Sequence, residues 1–553
     1  MSEINTPRDL DQGNAWQISA PQMTIDNGNI YGQGVPLQSP SKPREDTEYT
    51  KKVKQNFHIF GGASFIYACL YAFCMYKNSS GVTYPFFVAG SLLFICFCFG
   101  KLEISLKKGS RLYMGSMMLL GISTFCTDDG RIIAMNKTGV LLLTISFLLS
   151  TLYETKRWAL GKTLSAIFQV LFLAFGELGR PFSDAAWYCK NKLDRKKGKI
   201  LYVAAGLALT IPIFLAVFGL LISADAVFRD MSERLFRHLN IRNILQAVFM
   251  VCGMFLAAYC ILSYLCKKDI VEEAKDHRKG EPLVAIPIAA ILSMLYLVFS
   301  VIQILYLFVG GMQLPDGYTY AEYAREGFFQ LLFVSLLNLV LVLIGMSYFR
   351  SSKVLKIVLT VMSLCTFIMI ASSAMRMIIY IQYYYLTFLR IFVLWSLAVL
   401  FLIFAGVIAA IIRESFPLFR YSMIVVTVFY LALSFAHPDY WIARINVEGM
   451  QTEARSDFFQ GEAYSDYYFL SQLSADAAPV LLKYAEREDY DLNVYYWKSY
   501  EVLEYYGGCT EDNFAYYYMV NLRERVGETS LRRFNLSRFG AGLEVLSQVT
   551  AGM

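Results

Sequence analysis

The sequence predicts an all-α integral membrane bundle of about 11 transmembrane helices. Its N-terminus is expected inside and its C-terminus outside, where a small helical region follows the last span. Three observations carry this. Hydrophobic residues make up 56% of the chain and charged residues 17%, with mean hydropathy +0.44, against about a quarter charged in soluble proteins. The apolar residues fall in blocks of roughly 17 to 27, the length that crosses about 30 Å of hydrocarbon. Finally, the formal charge of +6 is split: residues 437–553 hold 18 Asp/Glu against 10 Lys/Arg, so the remainder stands at +14 with its cations in short loops. That is how a bundle beside anionic cytoplasmic lipid should look, and it is no nucleic-acid footprint.

Residues 1–56 read as a disordered cytoplasmic tail rich in Pro, Gly, Asn, Asp and Gln. The first apolar run begins only near Phe57, so no cleavable signal peptide is expected, and Lys51, Lys52 and Lys54 hold the tail inside. The polytopic domain, 57–436, is expected to span at 57–76, 82–100, 112–127, 138–153, 200–224, 243–265, 283–309, 327–349, 354–375, 389–412 and 417–436. The run 163–178 is expected to be interfacial or re-entrant. Crossing there would put Lys190, Lys192, Arg195, Lys196, Lys197 and Lys199 outside, against the positive-inside rule. With that choice the basic loops alternate, the exception being 225–242 with its four arginines.

Residues 437–553 read as a helical, Tyr-rich extracytoplasmic region. Asp476-Ala-Ala-Pro479 opens one helix, with Pro in its first turn, and Thr510 precedes another that Gly527 closes. Its Tyr clusters fit packing of a helical layer against the membrane better than ligand binding. Ten of the 11 Cys precede residue 400 and lie mostly inside apolar runs, and the four His are far apart. Small packing residues are the expectation, with no metal and no cofactor. Nucleotide-loop, serine-hydrolase and zinc-protease motifs do not occur in the sequence.

Four segments carry a resemblance. They are Ala224-Asp225-Ala226-Val227-Phe228, Tyr320 to Leu331 with its Tyr323-Ala-Arg325-Glu326-Gly-Phe-Phe element, Arg376-Met377 through Tyr380 to Leu386-Thr387-Phe388-Leu389-Arg390, and Ala443-Arg444-Ile445-Asn446. Over roughly 200–480 the chain resembles a bacterial family of multi-pass membrane proteins. That family is catalogued as a domain of unknown function, numbered forty-one seventy-three and related to forty-one fifty-three. The resemblance implies a bacterial cell membrane location and an architecture, without an activity. Where that family usually has Tyr-Gly-Leu-Thr, this chain has Tyr384-Tyr385-Leu386-Thr387.

Charges at membrane depth are costly and mark candidate sites. Arg325 and Glu326 are expected to open one span, Arg376 to close another, Arg390 to open a third and Asp225 to close a fourth. All fall at the outer boundary, so with Tyr323 they make the candidate binding set, a shared polar vestibule suited to an anionic small molecule or lipid headgroup. Snorkelling arginines and a helix-start carboxylate are the plainer alternative. Gln303 and Asn338 are expected to hydrogen-bond between helices. Three function classes follow: a transporter- or permease-like bundle, a sensory or assembly protein whose C-terminal region binds an envelope ligand or membrane protein partner, and, least favoured, an intramembrane transferase using Glu326 or Asp225. The lipid bilayer is the expected partner throughout.

Overall fold

A computed structural model describes residues 47–153, 160–192, 217–235, 241–267, 280–305, 320–450, 463–485, 514–526 and 530–551, with a short hairpin at 25–30 and isolated positions near 210 and at 278. The hairpin pairs Ile25–Asp26 with Asn29–Ile30 in antiparallel register; it belongs to a unit, Met1–Asp46, separate from Thr47–Met553. Among its described residues the larger unit is almost wholly helical.

Its first helix, α1 (Glu48–Gln55), lies in the stretch expected to be tail. The side chain of Thr47 accepts from Thr50 N and caps it, and Lys52 reaches Glu103 at 2.9 Å. The apolar helices follow as α2 (Phe57–Met75), α3 (Thr83–Lys101), α4 (Ser110–Cys126) and α5 (Gly130–Leu152). Next come the bent pair α6 (Leu160–Leu173) and α7 (Arg180–Lys192), then α8 (Ala226–Leu235). The set continues with α9 (Ile241–Cys266), α10 (Pro282–Gln303), α11 (Tyr320–Tyr348), α12 (Lys353–Tyr384), α13 (Phe388–Ile412) and α14 (Leu418–Phe435). Among the described residues, nine helices are long and apolar enough to cross a membrane, and α6 with α7, bent by 51°, would make a tenth. Ser110–Cys126, at 17 residues, falls just short of that length, and most of the expected span 200–224 lies outside the described residues.

Three spans depart from the expected limits, each at a charge. The fourth begins at Gly130 instead of 138, because Asp129 caps it through Arg131 N and holds the Arg131 guanidinium at 2.9 Å. The helix expected to open at 327 begins at Tyr320, and the one expected to close at 375 runs on to Tyr384. Arg131 and Arg376 lie inside their helices because each guanidinium is packed, one between Asp129 and Asp439 and the other over Gly327.

Polar side chains join the apolar helices. Gln303 accepts from the Ser372 hydroxyl at 2.7 Å, and the Asn338 amide donates to Thr366 at 3.0 Å, both as expected. Between α4, α5 and α14, Asn136 Oδ1 accepts from Tyr430 and Ser434 at 2.7 Å each, and Ser123 pairs with Ser434 at 2.5 Å. These bonds are favoured where no water competes, and they fix the ends of three helices in register.

Beyond α14 the C-terminal lobe contains α15 (Pro438–Met450), α16 (Ala463–Ser471), α17 (Ala478–Ala485), α18 (Phe514–Val526) and α19 (Leu536–Ala551). Its own core gathers Ile442, Leu470, Leu481, Tyr516, Tyr518 and Leu522. Among the Tyr clusters, Tyr516–Tyr518 are therefore packing residues. The lobe rests on the α2–α3 and α4–α5 turns: Asn535 donates to Ser80 O at 3.1 Å and to Thr127 O at 2.9 Å.

Candidate functional site: a buried ionic joint between bundle and lobe

Where lobe and bundle meet, four carboxylates are removed from water. The side chains of Asp128, Asp129 and Asp439 are each 2% exposed and that of Asp476 is 0% exposed. Isolated buried carboxylates would neutralise, so each must be held by partners. Thr127, Asp128 and Asp129 form the tight turn between α4 and α5. Asp439 stands in the first turn of α15, just past the corner at His437, whose φ of 50° turns the chain from α14 into the lobe. Asp476 lies in the 3-10 turn Ala475–Ala477 that opens α17.

Asp476 is the centre. Its Oδ2 accepts from Thr127 Oγ1 at 2.5 Å and lies 3.3 Å from His437 Nδ1; its Oδ1 accepts from Asp128 N at 3.1 Å and from the Ser537 hydroxyl. Asp128 in turn accepts from Arg538 Nε at 2.6 Å, Arg525 Nη1 at 3.4 Å and Ala475 N at 3.3 Å. Arg131 bridges Asp129 and Asp439 while its guanidinium lies 4.2 Å over the Phe388 ring. Asp439 also accepts from Ser474 N at 3.0 Å. Four carboxylates thus face three arginines and His437, whose protonated form would complete the balance.

The groups' protonation follows from these contacts. Burial opposes ionisation of Asp476, but hydrogen bonds from His437, Ser537 and Thr127 outweigh it and hold its pKa below the ordinary carboxylate value. The same hydrogen bond raises the His437 pKa against the effect of burial. Asp439 is pushed up, first by burial and then by the neighbouring charge of Asp129, with Arg131 opposing.

Arg376 lies in the interior of α12, 8% exposed, and not at a helix end. Its guanidinium covers Gly327, where an added Cβ would stand 1.8 Å from Nη1. Arg390, one turn into α13, donates to the carbonyls of Tyr384 and Tyr385 and stacks 4.3 Å over Tyr380, so it caps the end of α12. Asp225 is exposed and caps α8 through Phe228 N at 2.8 Å. Tyr323, Arg325 and Glu326 belong to α11, but their side chains lie outside the described residues.

Besides Arg376 and Gly327, a second pair of the resembling segments meets. Asn446 closes a two-bond clasp on the Leu386 backbone, accepting from its N–H at 2.7 Å and donating to its C=O at 2.9 Å. Just before it, Tyr385 adopts φ 64°, ψ 174°, a conformation that suits glycine.

Sequence reasoning missed the ionic joint. Its signals were a Thr-Asp-Asp-Gly-Arg turn between two apolar runs and a His-Pro-Asp directly after the last one; Asp476 was read only as a helix start. A family model described as Domain of unknown function (DUF4153) matches residues 114–484, which takes in most of the joint. No curated protein and no solved structure matches the chain.

Proposed function

The chain belongs to the DUF4153 family, whose model covers more than half of it, and on that premise we propose that it is a membrane sensory or assembly protein. In this reading the C-terminal lobe receives an extracytoplasmic ligand or partner, and the ionic joint transmits that event to the bundle. One observation carries the reading: the four buried carboxylates come from both bodies, so lifting the lobe strands charges on each side. Coupling of this kind is what a receiving lobe requires.

The nine spanning helices, together with Ser110–Cys126 and segment 200–224, would give eleven passes in a bacterial cell membrane, with α1 cytoplasmic and the lobe outside. Support comes from the basic residues at loops alternating with those under the lobe. Transport is the second reading. It is favoured by the polar side chains buried among α10, α11 and α12, with Arg376 at their end; Arg376, Arg390, Arg325, Glu326, Tyr323 and Asp225 would then serve an anionic ligand.

Photo-crosslinking in cells tests the choice. Trp441 and Ile445 are 45% and 44% exposed on α15. A photoreactive residue at either should trap a discrete envelope component, with less trapped in an Asp476→Ala background. Absence of any adduct, with anion flux into proteoliposomes, would favour transport.

A further inference from the structure

We propose that the start of α19 and the turn before it form a membrane-seating surface, with Leu531, Leu536, Phe539 and Leu543 entering the leaflet on the lobe's side of the bilayer. The proposal rests on the apolar helices being membrane spans and not on the sensory reading. Leu531 is 93% exposed, and Leu536, Phe539 and Leu543 are 48%, 46% and 52% exposed. The last three recur at i, i+3 and i+7, one stripe of a helix whose opposite side buries Ala541 in the lobe core.

What covers the stripe follows from where it is fastened. Arg532 donates to the last carbonyls of α2, to Tyr76 O at 2.8 Å and Phe73 O at 3.1 Å, so Leu531 stands level with the end of a span. Val82 N donates to Phe534 O at 2.8 Å, and the turn packs so closely that a Cβ on Gly81 would meet Arg532 O at 2.4 Å. Phe539 continues a chain of rings to the end of α4, 5.2 Å to Phe534 and 5.9 Å from there to Phe125. The turn that begins the stripe meets the outward face of α2, where Phe73, under the Arg532 guanidinium, is 63% exposed and Ile66 71%. A surface continuous with the lipid-facing belt is covered by the same lipid. Arg532, lying over the Phe73 and Tyr76 rings, is placed at headgroup level. An amphipathic helix of this kind settles roughly 5–10 Å into the headgroup boundary.

The test uses the purified full chain, with benzoylphenylalanine at Leu531 or Phe539, in vesicles of phosphatidylethanolamine and phosphatidylglycerol. Illumination should attach phospholipid at both positions, and the adduct should be lost when the probe moves to Glu524, an exposed charged position on α18. Vesicle flotation confirms insertion in each case. A chain that floats but gives no phospholipid adduct at 531 or 539, or gives a crosslink between two copies of the chain, overturns the proposal. Failure to float would instead overturn the spanning reading. Because Leu531 touches so little, a spin label at Leu531→Cys provides a second measurement, with oxygen expected to relax it more than a water-soluble nickel chelate.

Discussion

Replacing Asp476 by Ala should loosen the lobe without unfolding the bundle. The substitution removes the acceptor of Thr127 Oγ1, Asp128 N and the Ser537 hydroxyl and the partner of His437, in a side chain that is 0% exposed. Hydrogen bonds to a charged acceptor contribute about 1.5–3 kcal/mol each, and breaking one side of a buried ion pair costs about 3–5 kcal/mol. The two hydroxyls can rotate toward other acceptors and His437 is partly in water, so the lower end, about 3 kcal/mol, is the expectation. In nanodiscs, amide exchange across Thr127–Arg131 and Ser474–Ala478 should then accelerate roughly 150-fold. Exchange within α12 and α13 should hold. Asp476→Asn, which keeps one acceptor oxygen, should fall between. Acceleration below about fivefold, roughly 1 kcal/mol, would refute the role assigned to this carboxylate.

Other outcomes follow from the same contacts. Docking should be tightest in mild acid. The Asp476 contribution is present above about pH 4 and lost as pH falls through its lowered pKa. The His437 contribution is complete below about 6.5 and lost as pH rises through its raised pKa. Asp439, whose burial disfavours ionisation, shifts the optimum the same way; protease sensitivity of the lobe from pH 5 to 9 measures it. Tyr385→Gly should raise thermal stability by about 1 kcal/mol, since a non-Gly residue in that conformation costs about 1–3 kcal/mol and the freer unfolded chain takes some back. Gly327→Ala should destabilise by about 1–3 kcal/mol, because the buried Arg376 guanidinium occupies the space of the new methyl; midpoints in detergent check both.

The spans were legible because a bilayer asks for length and apolarity, and both are written locally: Phe57–Met75 and Phe388–Ile412 fall within a residue or two of their expected limits. The limits differ where a charged residue lies inside a helix. Arg131 and Arg376 look like boundaries in sequence, yet one is paired by Asp129 and Asp439 and the other is packed over Gly327. The ionic joint was illegible for a different reason. Asp128, Asp439, Asp476 and Arg538 come from four distant segments, each of them ordinary as a turn or a helix start. Only the fold shows that their carboxylates are buried in one joint. Asn446 and Leu386, by contrast, stood in segments already singled out, although nothing in their spacing foretold the clasp.

Charge joins the lobe to the bundle, and a double-mutant cycle on Asp128 and Arg538, 2.6 Å apart, measures that coupling. Asp128→Asn, Arg538→Gln and the double variant are compared by exchange of the Thr127–Arg131 amides in nanodiscs. The joint predicts a coupling of about 1.5–3 kcal/mol, the double variant losing less than the sum of the two. Effects that add within about 0.5 kcal/mol would contradict it.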